Sequence, residues 1–164
     1  MNNFKCFIIV FVVFCIISCK KDKLPRASEK GADTFGCKID GVLFKPYYTG
    51  GLFNNVDVLS VGNRRGFGIH AQNQETDESV SIEFTRLTKT GTYKLRQYPY
   101  RGIYQAGYRS PGWYTTDSIN TGELIITRCD TINKIYSGRF SFTGIDPNTG
   151  KIVKVTEGRF DLKE

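Results

Sequence analysis

The chain has 164 residues, of which 40% are hydrophobic and 24% charged, and its formal net charge is +7. This length suits one domain with a single core, and the apolar content excludes an intrinsically disordered chain. No apolar run reaches the length of about 18 residues that an ordinary membrane-spanning helix needs. Aromatic residues make up 13% of the chain, against one Met and one Trp, and this balance favours strands.

A leader is predicted over residues 1–18. A cation precedes the unbroken apolar run of residues 6–17, and a small residue ends it. This is the pattern of a secretory signal peptide, and the run is too short for a membrane anchor. Ile16-Ile17-Ser18-Cys19 resembles the lipobox of bacterial lipoproteins, which implies cleavage before Cys19 and attachment of diacylglycerol and a further acyl chain to it. The alternative is an ordinary leader in which Cys19 is incidental.

A flexible tether is predicted over residues 19–33, because they are polar and have no periodicity. Random-coil scaling gives it a reach of roughly 20 Å. Its cations would lie beside anionic lipid head groups, so the expected partner is the membrane, through the lipid anchor. The expected location is the cell envelope, at the outer membrane. No nucleic-acid partner is expected, since an exported protein meets little nucleic acid.

Residues 34–164 are predicted to form a single all-β domain, because strand-like runs recur between turn signals without a helical period. Residues 97–116 are expected to be irregular and aromatic. An antiparallel meander of about nine strands would form a small β-barrel or a two-sheet sandwich. The predicted strands are Thr34–Ile39, Val42–Lys45, Val56–Gly62, Gly66–Gln72, Ser79–Leu87, Thr92–Leu95, Gly122–Asp130, Lys134–Ile145 and Lys151–Leu162.

The first hairpin is predicted from its turn. Asp40-Gly41 between two apolar runs is typical of a type I′ turn, which needs positive φ at both central residues. A two-residue turn places Ile39 opposite Val42 and Cys37 opposite Phe44. The large apolar side chains of both strands then share one face.

The last hairpin is registered by pairing Ile145 with Ile152. The residues expected to face inward are odd-numbered in the first part of the last strand and even-numbered in its second part. One extra residue beside Gly158 accounts for this change. Glycine is the residue that a bulge prefers, so we expect positive φ at Gly158. Phe160 then lies across from Gly138, and an aromatic ring over a glycine stabilises a sheet.

Four segments carry a resemblance to a known family. They are Thr34-Phe35-Gly36-Cys37-Lys38-Ile39-Asp40-Gly41, Ile125-Ile126-Thr127-Arg128-Cys129-Asp130, Ser137-Gly138-Arg139-Phe140-Ser141-Phe142 and Glu157-Gly158-Arg159-Phe160-Asp161. They look like a family of small Bacteroidota-type lipoproteins with an uncharacterised domain. The resemblance implies an exported, lipid-anchored, all-β domain, and it supplies no activity and no catalytic residues.

Two cysteines remain in the domain, Cys37 and Cys129, and both fall on apolar faces. They would form a disulfide in an oxidising compartment, or stay as two separate buried thiols. Metal binding is not expected, because His70 is the one histidine and points away from the apolar face. No cofactor is expected.

Catalysis finds little support. The sequence has no Gly-x-Ser-x-Gly motif, and the acidic run at Glu75, Asp77 and Glu78 is typical of a solvated loop. We therefore lean away from an enzyme.

The segment from Tyr93 to Tyr114 contains tyrosines and one tryptophan interleaved with arginines. Flat rings with polar edges stack on sugars, and arginines bind carboxylate or phosphate. The predicted binding surface consists of Tyr98, Tyr100, Arg101, Tyr108, Arg109 and Trp113. The alternative is that these rings pack over an open barrel end or a sheet edge.

Together these features predict a non-catalytic envelope module that binds a glycan or an envelope partner. One alternative is an accessory subunit or inhibitor that docks a protein partner through a sheet edge. The other is an envelope hydrolase.

Overall fold

The computed structural model describes residues 23–47, 56–61, 66–84, 87, 89–96 and 105–164. This part of the chain is all-β and has no helix, and so none that is long and apolar enough to cross a membrane. Its strands are β1 (Thr34–Ile39), β2 (Val42–Phe44), β3 (Val56–Val61), β4 (Gly66–Asn73), β5 (Glu78–Phe84), β6 (Gly91–Leu95), β7 (Gln105–Ser110), β8 (Gly112–Thr115), β9 (Gly122–Asp130), β10 (Ile135–Ile145) and β11 (Ile152–Lys163).

The strands join in one antiparallel sheet that curls into a nearly closed barrel. The path runs β2-β1-β11-β10-β8-β7-β5-β4-β3, and β9 and then β6 branch from β10. Tyr47, just beyond β2, pairs with Asn73 at the end of β4, which brings the β2 end of the path towards β4. Of the two predicted architectures, the barrel is therefore the closer description.

The core fills the inside of this barrel. The predicted inward residues of β5, which are Val80, Ile82 and Phe84, are buried, as are Ile69 and Ala71 on β4. A group of phenylalanine rings, with neighbouring centroids 5.3 to 6.5 Å apart, joins four strands: Phe35, Phe44, Phe140, Phe142 and Phe160. Rings at these separations stabilise a core beyond the area that they bury.

The first hairpin forms as predicted. Asp40 and Gly41 have φ of 48° and 86°, and Ile39 and Cys37 pair with Val42 and Phe44. The expectation of a shared apolar face fails at Val42, which is 72% exposed. Strand β2 stands at the end of the path of the sheet, and Val42 directly follows the turn.

The hairpin of β10 and β11 also has the predicted register. Ile145 pairs with Ile152, and Phe160 pairs with Gly138 across β10 and β11. A Cβ at Gly138 would lie 2.8 Å from the Phe160 ring and 2.3 Å from the Ile125 carbonyl oxygen. Only glycine therefore fits beneath this ring.

The bulge in β11 differs from the prediction in one respect. An extra residue of β11 lies between Val155 and Gly158 relative to β10, but the positive φ of 53° belongs to Glu157 and not to Gly158. Gly158 has a different role, because a Cβ there would lie 2.6 Å from the Phe140 ring. Packing, not backbone conformation, accounts for this glycine.

The prediction of an irregular segment over residues 97–116 is wrong for its second half. Residues 105–115 form the β7–β8 hairpin, while residues 97–104 lie outside the described residues. Tyr108 and Tyr114 face inward and stack with centroids 5.8 Å apart, whereas Trp113 is exposed. Because rings occupy both faces, the polar–apolar alternation that marks a strand is hidden in this sequence.

Residues 24–33, which we call the strap, lie against the outer face of the sheet. The Arg159 guanidinium on β11 donates to the Pro25 carbonyl oxygen at 3.2 Å, and the Lys163 N–H donates to Asp33 at 2.9 Å. The expectation of a flexible tether is therefore wrong for these residues, which are bound to the domain. Cys19 and the predicted leader, residues 1–18, lie outside the described residues.

Candidate functional site

Half of the predicted aromatic surface can be located. Tyr98, Tyr100 and Arg101 lie outside the described residues. Tyr108 and Arg109 lie on β7, and Trp113 lies on β8 of the same hairpin. The structure places these three residues on two opposite faces of the sheet.

Tyr108 is a core residue, which corrects its assignment to the binding surface. Its side chain is 6% exposed, and its hydroxyl donates to Glu78 Oε1 at 2.5 Å. Burial, together with this hydrogen bond, raises the pKa of Tyr108 to about 12. The alternative interpretation, in which rings of this segment pack into the barrel, is right for this tyrosine.

Arg109 and Trp113 lie opposite each other on the outer face of the same hairpin. Trp113 is 46% exposed. A Cβ on Gly107 would lie 3.4 Å from both the Trp113 ring and the Ser81 hydroxyl, so the ring edge lies over this glycine, beside a hydroxyl. Arg109 is held by Asp77, with 2.8 Å between its Nη2 and Asp77 Oδ1. We call these four residues, Ser81, Gly107, Arg109 and Trp113, the Trp113 platform.

The two cysteines of the domain are free thiols, so the disulfide alternative does not describe this structure. Cys37 on β1 is buried and Cys129 on β9 is half-buried, and β11 and β10 lie between these strands. Burial, and more weakly the charge of Glu78, raises the pKa of Cys37 to about 12. Burial and Asp130 also raise the pKa of Cys129. Both thiols are therefore protonated and react slowly at neutral pH.

Metal-binding geometry is not found in the described residues, where no group of three or more His, Cys, Asp or Glu side chains converges. His70 is half-buried on β4 and pairs with Ser81 on β5. The acidic run has structural partners instead, since Asp77 binds Arg109 and Glu78 binds Tyr108.

Asp161 on β11 holds the strap in place. Its carboxylate is 1% exposed and accepts the N–H groups of Lys30, Gly31 and Ala32 at 2.8 to 3.2 Å, and the Ser137 hydroxyl at 2.7 Å. Burial alone would raise the pKa of Asp161, but hydrogen bonds from Ser137, Gly31, Ser28 and Lys30 outweigh it and lower the pKa to about 2. The carboxylate is thus ionised and saturated with donors.

A second outer surface lies next to this buried carboxylate, and the sequence analysis did not identify it. Arg139 on β10 and Arg159 on β11 are direct cross-strand partners. Both line a cavity of about 250 Å³ between the strap and the sheet, and Arg26 of the strap also lines it. We call this surface the arginine groove. The predicted register already placed Arg139 opposite Arg159, because it paired Gly138 with Phe160, and this was the signal that the sequence analysis left unused.

One comparison with known proteins gives a match. A family model described as a domain of unknown function, DUF6252, matches residues 35–161. The match spans most of the chain, from the second residue of β1 to Asp161, so the chain belongs to this family. No curated protein and no solved structure matches it significantly.

Proposed function

We propose that this DUF6252 domain is a non-catalytic binding module of the cell envelope, anchored through acyl chains at Cys19, and that it binds a glycan on the Trp113 platform. The leader, the lipobox-like Ile16-Ile17-Ser18-Cys19 and the apolar run before it support the anchor. The observation that carries the glycan is the half-exposed Trp113 ring over Gly107.

An exposed tryptophan of this kind suits a sugar. The apolar face of a pyranose packs on the ring, while its hydroxyls need polar partners at the ring's rim. Arg109 and Ser81 supply these partners. The ion pair with Asp77 holds the Arg109 guanidinium in position before a ligand arrives, which reduces the entropy that binding would cost.

Retention on immobilised envelope polysaccharides tests the platform. We expect Trp113→Ala to weaken retention about tenfold, because one aromatic contact is lost, while Trp113→Phe keeps part of it. Ile132→Ala is the matched control, since Ile132 is also a large exposed apolar side chain but lies far along the chain in the β9–β10 turn. Equal retention of wild type and Trp113→Ala, with both folded by circular dichroism, would overturn the proposal.

Metabolic labelling with an alkyne fatty acid tests the anchor. Wild type should take the label, and Cys19→Ala should lose it, because the thiol is the acyl-chain acceptor. Cys129→Ala is the matched control and should label like wild type. Equal labelling of wild type and Cys19→Ala would show that the leader is an ordinary secretory one.

A protein partner at a sheet edge is the second candidate, and one observation favours it. Val42 on the three-residue edge strand β2 is 72% exposed. Exposed apolar side chains on an edge strand offer a place for another chain to add. Val42→Lys should then abolish co-purification of an envelope protein while leaving polysaccharide retention unchanged.

A further inference from the structure

Arg139 and Arg159 place two guanidiniums on one face of the sheet, and no carboxylate of the described residues forms an ion pair with either. They are directly opposite on adjacent antiparallel strands and project from the outer face, where like charges destabilise a sheet. The Arg159 Nη1 donates to the Pro25 carbonyl oxygen, which fixes its position but not its charge. Among the described residues, Arg139 has no hydrogen-bond or ion-pair partner.

The acidic side chains that line the same two cavities, which are Glu29, Glu123 and Glu157, form no ion pair with Arg139 or Arg159. Glu157 lies two residues before Arg159 on β11 and is bound by Lys38 at 2.6 Å. Glu123 on β9 lines the next part of the face, a cavity of about 370 Å³ that adjoins the first one at Arg139 and Arg159. The lining of the smaller cavity contains three arginines and one carboxylate, Glu29, so the net charge of the lining is positive.

The walls of the smaller cavity are polar and fixed. Ser28, Thr34 and Thr127 bring hydroxyl groups to its lining. The strap forms one wall, and the hydrogen bonds from Lys30, Gly31 and Ala32 to Asp161 hold that wall against β11. Ligand binding therefore requires no ordering of the strap, and a preorganised site loses less entropy on binding.

We propose that the arginine groove binds a phosphate group, with Arg139 and Arg159 as its principal ligands and Arg26 closing the site from the strap. Guanidinium groups offer paired N–H donors that match the oxygens of a phosphate. The anion would stabilise the pair of like charges that the sheet otherwise brings together. This site lies on strands other than those of the Trp113 platform and does not depend on the proposed glycan.

The test measures thermal unfolding of the purified full chain in detergent with three probes: inorganic phosphate, glycerol 3-phosphate and glycerophosphoglycerol. Binding to the folded state raises the midpoint temperature in a saturable way. We expect saturation with wild type and at least tenfold weaker binding with Arg139→Gln and with Arg159→Gln. Lys151→Gln, which removes an exposed cation from the β10–β11 turn, should respond like wild type.

Two controls keep the proposal open to refutation. Chloride at matched ionic strength should give no saturable shift, and in phosphate-free buffer Arg139→Gln should be at least as stable as wild type, since it removes a like-charge contact. An Arg139→Gln protein that binds phosphate as wild type does, or a wild type that saturates with none of the probes, would overturn the proposal. Binding of glycerophosphoglycerol alone identifies the source as a lipid head group, and binding of inorganic phosphate identifies it as a free phosphate.

Discussion

The β10–β11 and β7–β8 hairpins both place an aromatic ring over a glycine, but these rings lie on opposite faces of the sheet. In β10–β11 the rings of Phe160 and Phe140 face the core, and a Cβ on the glycine beneath would lie 2.8 or 2.6 Å from them. In β7–β8 the Trp113 ring faces solvent, and a Cβ on Gly107 would lie 3.4 Å from it. The first arrangement leaves the ring no freedom and fixes the register. The second supports a ring that stays available to a ligand.

The two regions also use carboxylates differently, and replacing them should give the largest contrast. Asp161→Ala leaves three strap N–H groups and the Ser137 hydroxyl without their acceptor, which should cost about 3 kcal/mol in the free energy of unfolding. Asp77→Ala removes one exposed ion pair with Arg109 and should cost about 0.5 kcal/mol. Urea unfolding measures both, and equal losses would contradict the comparison.

Alanine at each glycine tests the packing difference. Gly158→Ala and Gly138→Ala force atoms together at 2.3 to 2.8 Å, and overpacking of this kind should cost about 1–3 kcal/mol. Gly107→Ala meets its neighbours at 3.3 to 3.4 Å and should cost under about 1 kcal/mol. The measurement is again urea unfolding, and a Gly107→Ala protein less stable than Gly158→Ala would show that the outward ring is as confined as the inward ones.

Acid should weaken the strap side of the molecule. The folded-state pKa of Asp161 is about 2, below its ordinary value of 3.8. A lowered pKa gives stability that is present above the unfolded value and is lost as the pH falls from about 4 to 2. The midpoint of urea unfolding should therefore fall over this window, and the fall should be shallower in Asp161→Asn. An identical pH profile for the two proteins would contradict the ionised, donor-saturated carboxylate.

The smallest expected contrast is in the reactivity of the two thiols, and it involves no change in the free energy of unfolding. Burial raises the pKa of both Cys37 and Cys129, so iodoacetamide should label neither quickly in the native protein at neutral pH, with Cys129 the faster. In urea without reductant both should be labelled. Mass spectrometry of their peptides measures this, and a pair of unlabelled cysteines in urea would establish a disulfide.

Sequence reasoning succeeded where local turn chemistry and strand parity agree. Asp40-Gly41 sets one hairpin, and pairing Ile145 with Ile152 sets another, down to the Gly138–Phe160 contact. It assigned the positive φ of the bulge to Gly158 because glycine favours that conformation, whereas Glu157 adopts it. Position 158 requires glycine because a side chain there would collide with the Phe140 ring, and not because of its backbone conformation.

The β7–β8 hairpin and the strap escaped prediction for different reasons. Tyrosine is apolar enough for the inside and polar enough for the outside, so Tyr108, Trp113 and Tyr114 give no alternation to follow. The strap has no pattern of its own, because its order comes from Asp161, far away in sequence. The pairing of Arg159 with Arg139 could be predicted from the strand register. The arginine groove could not, because Arg26 of the strap also forms it.

The bond between Gly31 and Asp161 spans 130 residues, which sets an order of events during folding. A contact between distant parts of a chain closes a long loop and forms late. The strap is synthesised 130 residues before its acceptor, so the donors of Lys30, Gly31 and Ala32 face water until β11 joins the sheet. The strap therefore stays accessible until β11 folds, and docking of the strap marks a completed barrel.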